Sequence, residues 1–134
     1  MTISTFDDLL REARAQPEPQ RLLFVFTVAE LPSDASADQR ARFLAGSGGA
    51  LAPLMYVDKA PSELTTFAAL VDESEQFGPP WSIVFVGALA GHAGQAPTSD
   101  DAEAALGQMV EFIKLGKLHK YVAFDRQGLP VMLA

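Results

Sequence analysis

The chain has 134 residues and no cysteine, and its seventeen acidic residues outnumber the ten basic ones, which gives a formal net charge of −7. The absence of cysteine excludes disulfides, thiolate metal ligands, thiol nucleophiles and thiol redox chemistry. The length suits a single domain over residues 1–134, and the negative charge opposes phosphate backbones and anionic membrane surfaces, so we expect no binding to nucleic acids or membranes.

The first part of the chain predicts a helix, a strand and a second helix. A helix with Thr5 as its cap and one apolar stripe is expected to end before Pro17. The run at 21–28, RLLFVFTV, is apolar and rich in β-formers, which indicates the first strand. A capping signal predicts a short helix over 36–45, and we interpret the glycines at 46–49 as its termination rather than as a phosphate-binding loop.

The middle of the chain predicts a strand, a helix and the most buried strand. Residues 51–57 indicate the second strand, and Pro53 is typical of a strand that begins there or lies at a sheet edge. The third helix is expected over 61–77, because the Gly-Pro-Pro at 78–80 ends it. Residues 83–86 are apolar on both faces, which predicts a central strand covered by helices on two sides.

The end of the chain predicts a helix and a hairpin. Three glycines between 87 and 94 match neither the dinucleotide fingerprint nor the P-loop, so they do not indicate nucleotide binding. Thr98 and Asp101 have the spacing of a capping box at the start of the fourth helix. The short β-prone runs at 121–124 and 129–133, joined by a turn that ends in glycine, indicate the hairpin.

The predicted fold is a single layered α/β domain with the element order αβαβαβαββ. Because helical crossovers join the first three strands, we expect these strands to form a parallel core. The C-terminal hairpin would add antiparallel pairing, which makes the expected sheet mixed. The element order is similar to that of a thioredoxin-like fold without its final helix, and the similarity concerns shape only, since the chain has no C-x-x-C motif.

A parallel core would bring polar side chains together where its strands end. The expected ligand-binding residues follow the three strands and open the fourth helix: Glu30, Asp58, Lys59, His92, Thr98 and Ser99, with Asp34 in the loop after the first strand. These residues supply acid, base, cation and hydroxyl groups, but the sequence shows no nucleophile paired with a histidine, so we predict no catalytic residue. Because His92 and His119 flank the fourth helix at opposite ends and the chain has no cysteine, we expect no metal site. We also expect no cofactor, since the glycines match no nucleotide-binding motif.

Charge is unevenly distributed along the chain. No lysine or arginine occurs between Lys59 and Lys114, whereas eight carboxylates do. This pattern is typical of a solvated acidic helix face, and the alternative is a docking surface for a basic partner. The lysines Lys114, Lys117 and Lys120 lie near the C-terminal end of the fourth helix, where they complement the helix dipole without any anionic ligand.

Three parts of the chain resemble one protein family. They are TISTFDDLLREARAQPEPQRLLFVFTVAELP at the start, QRARF with GSGGALAPLM in the middle, and FDRQGLPV near the end. Together they are similar to a small proteobacterial family whose members often carry the label ribonucleotide reductase subunit alpha, and the resemblance covers nearly the whole chain. It implies no catalytic residue here, because the radical and reducing chemistry of the reductase large subunit depends on cysteines.

Two classes of function follow from these observations. The first is a non-catalytic protein-interaction or regulatory module, favoured by the lack of a catalytic set; the alternative is a small enzyme or small-molecule binder that uses the strand ends. We expect a soluble, cytoplasmic protein, because Asp7 and Asp8 interrupt the amino terminus and no apolar run reaches the roughly 20 residues of a membrane helix. The apolar segment at 129–133 predicts a homodimer through an edge or helix face that includes the C-terminal hairpin, and a separate protein partner is also compatible with the sequence.

Overall fold

The structure is a computed structural model that describes residues 5–30, 36–44, 50–118 and 120–131. It shows one four-stranded sheet with helices packed on both faces. The elements follow in chain order as α1 Phe6–Arg14, β1 Gln20–Glu30, α2 Ala37–Leu44, β2 Ala50–Lys59, α3 Phe67–Phe77, β3 Ile83–Ala90, α4 Ser99–Lys114 and β4 Val122–Phe124. Within these ranges, no helix is both long enough and apolar enough to cross a membrane.

The predicted parallel core is wrong, and so is the thioredoxin-like arrangement of the strands. The sheet has the order β2-β1-β3-β4, and each neighbouring pair is antiparallel. The chain turns back after β1, so that Glu30 faces Ala50, and β3 pairs with the other side of β1, where Gln20 faces Ala90. The connection that contains α2 therefore joins antiparallel neighbours. β2 and β3 point the same way but are separated by β1, which makes β2, α3 and β3 a split βαβ unit.

One face of the sheet packs against α1 and α3. Side chains alternate along a strand, so Phe24 and every second neighbour in β1 point to this face. The Phe6 ring of α1 lies 5.0 Å from the Phe67 ring of α3 and 5.6 Å from the Phe124 ring of β4. α3 begins at Phe67, where the Thr66 hydroxyl caps it, and not at Pro61, which opens a short 3-10 helix.

The other face of the sheet packs against α4. Val25 and Phe85 from the two inner strands contact the apolar stripe of α4, which consists of Ala102, Leu106, Met109 and Ile113. The predicted capping box is confirmed: the Asp101 amide donates to the Thr98 hydroxyl and the Thr98 amide donates to the Asp101 carboxylate, each at 3.1 Å. β3 is an inner strand with two covered faces, as its apolar run predicts.

The predicted C-terminal hairpin is present in part. The Val131 amide donates to the Ala123 carbonyl of β4 at 2.9 Å, and Pro130 forms an isolated bridge with Phe124. The last two residues of the predicted strand, 132 and 133, lie outside the described residues, as do Asp34, the glycines at 46–49 and His119. The segment at 130–131 therefore lies along the outer side of β4.

Candidate protein-interaction surface

The predicted strand-end site is divided between two ends of the sheet. Because β1 is antiparallel to both of its neighbours, Glu30 lies at the end of the sheet opposite to the one where β2 and β3 finish. The side chain of Glu30 is not among the described ones. Asp58, Lys59 and His92 share the second end, and the antiparallel arrangement separates them from Glu30.

The charged groups at this second end are paired within the fold. The Asp58 carboxylate accepts a hydrogen bond from the Arg21 guanidinium of β1. The Lys59 ammonium donates to the Glu73 carboxylate of α3 at 2.8 Å, and its side chain is only 14% exposed. These two ion pairs join β2 to β1 and to α3, which is a structural role.

His92 lies on a tight turn that is fixed to the start of β1. Its backbone N–H and C=O both bond to Gln95 at 2.9 Å, and the two residues between them, Ala93 and Gly94, have φ values of 51° and 77°. The Glu18 carboxylate accepts from the Gly94 amide at 2.8 Å. His92 is exposed there, and the described residues contain no group of three His, Asp or Glu side chains that could hold a metal ion.

The hydroxyl groups predicted for the site lie at the start of α4. The Thr98 hydroxyl accepts the capping hydrogen bond described above, and Ser99 is the exposed first residue of the helix. The structure therefore gives Thr98 a helix-capping role and shows no contact that joins these hydroxyls to Asp58 or Lys59.

The outer side of β2 is the most extended unpaired edge of the sheet. β2 is ten residues long and is the outermost strand, and the described residues pair it with β1 alone. No charged side chain occurs from Ala50 to Val57. Exposed edge strands usually carry charges, prolines or bulges that prevent further pairing, and here Pro53 and the bulge beside it occupy only the first half of the strand. In the described part of the chain, the half from Met55 to Lys59 is left open, because its two charges, on Asp58 and Lys59, are paired within the fold.

An apolar pocket of about 310 Å³ lies between this edge strand and α3. Its lining residues are mostly apolar and include one carboxylate and two hydroxyl-bearing residues: Phe26, Met55, Tyr56, Val57, Leu70, Glu73, Ser74 and Phe77. The end of α3 lies close to β2 at Gly78, where a Cβ atom would come within 2.2 Å of the Met55 sulfur. The edge strand and the pocket are therefore parts of one surface, which we term the β2–α3 surface.

Two aromatic side chains of the β2–α3 surface are exposed. Phe77 at the end of α3 is 78% exposed and Tyr56 on β2 is 57% exposed. Leu115 and Leu129, the other large exposed apolar residues in the described part of the chain, lie elsewhere, at the end of α4 and after β4. Exposed aromatic residues next to an apolar pocket are typical of protein-binding sites.

A second pocket of about 320 Å³ lies between α1, the start of β1 and the later part of β3. Its floor is apolar and its rim carries Glu12, Gln16, Gln20 and Lys120. The Lys120 ammonium is directed to the Phe112 ring, 5.0 Å from its centroid. This pocket has polar and charged groups of both signs, in contrast to the apolar pocket beside β2.

Sequence reasoning missed the β2–α3 surface, although two signals for it are present. Phe77 follows the inward stripe of the third helix and stands directly before Gly78, so it is an aromatic residue without a predicted place in the core. Tyr56 alternates with the inward-facing Met55 and Val57.

A comparison of the chain with models of protein families, with curated proteins and with solved structures found no match.

Proposed function

We propose that this protein is a non-catalytic cytoplasmic interaction module that binds an extended segment of a partner protein along β2. The observation that carries the proposal is the open edge of β2 beside the apolar pocket under α3. A bound segment would add a fifth strand to the sheet, and one of its side chains would enter the pocket. Strand addition of this kind obtains affinity from backbone hydrogen bonds and specificity from pockets for alternate side chains.

The backbone of β2 supports this mode of binding. The half from Met55 to Lys59 follows the bulge at Leu54 and contains no proline, so its outward N–H and C=O groups can all take part in a new ladder. The ion pairs of Asp58 and Lys59 hold this half against β1 and α3. A prearranged edge of this kind lowers the ordering cost of binding.

The pocket defines the anchor of the bound segment. Phe26, Val57 and Leu70 form apolar walls, so the anchor is a large aliphatic or aromatic side chain. Because side chains alternate across a strand, the anchor's immediate neighbours point to the other face, beside Tyr56. The partner motif is therefore one large apolar residue within an extended segment.

Charge defines the flanks of the bound segment. Asp72, Glu73 and Glu75 lie on α3, and Asp72 and Glu75 are exposed. Lys59 and Arg126 pair with Glu73 and Glu75, whereas no ion pair of Asp72 occurs among the described residues. Asp72 is therefore the carboxylate that favours a lysine or arginine outside the anchor, which corresponds to the basic-partner alternative of the sequence.

Binding of defined synthetic peptides tests the proposal. The probes are fluorescent peptides of about ten residues, the length of a long strand, with a central Leu or Phe and with flanks of either Lys or Glu. We expect the Lys-flanked peptides to bind, measured by anisotropy, with an affinity that falls as salt is added. Binding that ignores the central residue, or no binding by any peptide of the panel, would reject the function.

Two matched pairs of variants locate the binding site. Gly78→Ala forces Met55, which lines the pocket, to shift, and Phe77→Ser removes the exposed aromatic; each should weaken binding about tenfold, or 1.4 kcal/mol. Gly107→Ala on α4 and Leu115→Ser just after it are the corresponding changes at open or exposed positions, and they should leave binding unchanged. Equal effects of both pairs would show that the peptide binds elsewhere.

Small-molecule binding is a second candidate function, and the pocket with the mixed polar rim favours it. A thermal-shift screen with amino acids, carboxylic acids and nucleotides tests it, because a ligand at a hundred times its Kd adds about 2.7 kcal/mol of stability. Ala88→Phe, which adds bulk at the lining of this pocket, should abolish a genuine shift. Ala104→Phe on the exposed face of α4 is the matched control.

A further inference from the structure

We propose that two copies of the chain pair through the same half of β2, so that self-association and partner binding exclude each other. The exclusion rests on the proposed function, whereas the pairing itself stands on the geometry of the β2–α3 surface. The expected homodimer therefore uses β2 and not the C-terminal hairpin. The outer side of β4 is occupied by the segment at 130–131, and the outer side of β2 has no such cover among the described residues.

The β2–α3 surface is complementary to itself. It carries an exposed aromatic, Phe77, and an apolar pocket of about 310 Å³, so one surface offers both a projecting group and a cavity. A twofold interface requires this property, because the same patch must contact itself. When identical antiparallel strands pair about a twofold axis normal to the sheet, both α3 helices lie on the same face. Phe77 of one copy then approaches the pocket of the other.

The charges on β2 itself do not oppose this contact, although the chain has a net charge of −7. Asp58 is paired with Arg21, and Lys59 with Glu73, within each copy. The strand from Ala50 to Val57 has no charge that would oppose its twin. Tyr56 is the exposed residue of the open half from Met55 to Lys59, so we place the twofold axis there and expect Tyr56 to face its own symmetry mate.

Because the chain has no cysteine, a single introduced cysteine can report directly which residues face each other in the dimer. Residues that face each other across antiparallel strands have Cα atoms about 4.5–5.5 Å apart, within the range of about 4.4–6.8 Å that a disulfide spans. Mild oxidation of Tyr56→Cys should therefore give a covalent dimer in high yield. Leu115→Cys, at an exposed position just after α4, is the matched control and should remain monomeric on a denaturing gel.

Sedimentation measures the noncovalent dimer without any peptide. We expect twice the monomer mass at high concentration and a dimer Kd that rises about thirtyfold in Phe77→Asp, the fold-change of a roughly 2 kcal/mol interface hot spot. Leu129→Asp, an exposed apolar residue after β4, should leave the Kd unchanged. A wild-type protein that is monomeric at every concentration, together with equal crosslinking of both cysteine variants, would overturn the inference.

Competition separates the inference from the proposed function. A Lys-flanked peptide that binds should convert the dimer into a monomer with one bound peptide. If the peptide binds and the dimer persists, the shared edge is wrong and the function stands. If no peptide binds while Tyr56→Cys crosslinks, the function is wrong and the self-pairing of β2 stands.

Discussion

The indole Nε1 of Trp81 donates a hydrogen bond of 2.8 Å to the hydroxyl of Ser74, and both side chains are buried. The Ser74 hydroxyl in turn donates to the Val71 carbonyl at 2.6 Å. The Trp81 ring lies 5.0 Å from the Phe26 ring and 4.7 Å from the Arg126 guanidinium. These contacts fasten the α3 helix to the start of β3 directly behind the apolar pocket.

Ser74→Ala should lower the free energy of unfolding by about 1–3 kcal/mol, because it leaves a buried indole N–H without an acceptor. Urea unfolding followed by circular dichroism measures the change. The matched control is the same substitution in a Trp81→Phe background, where no N–H remains and the cost should be smaller. Equal costs in the two backgrounds would show that the hydrogen bond is unimportant.

Ala93→Gly should stabilise the protein by up to about 1–2 kcal/mol, because Ala93 has a left-handed backbone that costs an L-residue roughly this amount. The comparison is Ala104→Gly on the exposed side of α4, which should cost about 1 kcal/mol. Urea midpoints of the two variants give opposite signs if the turn is strained. A loss of stability in both would contradict the assignment of strain to Ala93.

Local structure was predictable from the sequence to a large extent, because it depends on neighbours in the chain. The pair Thr98 and Asp101 identifies the start of α4, and the apolar run from Ile83 identifies an inner strand. The strand order depends on pairing between distant segments, such as Gln20 with Ala90, which no local signal specifies. Helical crossovers suggested parallel neighbours, and the insertion of β1 between β2 and β3 was therefore missed.

Stability should decrease at alkaline pH through Tyr121. Burial raises the pKa of its phenol above the ordinary value of 10.0. Below the unfolded pKa both states keep the proton, so the contribution of the phenol is fully present there. As the pH rises towards the folded pKa, the unfolded state ionises first and the free energy of unfolding falls.

Tyr121→Phe should remove this part of the alkaline loss. Urea midpoints at neutral pH and above the unfolded value of 10.0 measure the effect. Tyr56→Phe, at an exposed position, is the control and should lose stability as the wild type does. An alkaline loss in Tyr121→Phe as steep as that of the wild type would refute the role of this phenol.

Thr98→Ala should cost about 0.5–2 kcal/mol of stability, the usual effect of losing a helix N-cap. The hydroxyl satisfies the Asp101 amide at 3.1 Å, which alanine cannot do. Ser99→Ala, one residue further on, leaves the cap intact and should change the free energy of unfolding by only a few tenths of a kcal/mol. If Ser99→Ala costs as much as Thr98→Ala, the capping role assigned to Thr98 is wrong.

The candidate surface was less predictable than the elements that form it. The polar residues Asp58 and Lys59 were expected to bind a ligand, but their charges are paired with Arg21 and Glu73. Which residues find such partners depends on the order of the strands. Once β2 is known to be the outer strand, the exposed Tyr56 and Phe77 become the informative residues.

The position of β1 in the sheet also determines when the protein can fold during synthesis. β1 is complete once Glu30 has left the ribosome, and β2 can pair with one of its sides as soon as β2 has been made. The other side pairs with Ile83–Ala90, so the apolar residues from Leu22 to Phe26 lack their second neighbour until two thirds of the chain has been made. Pairing between such distant segments is slow, and unpaired strand edges promote aggregation. Chains that terminate before β3 are therefore expected to aggregate or to be degraded.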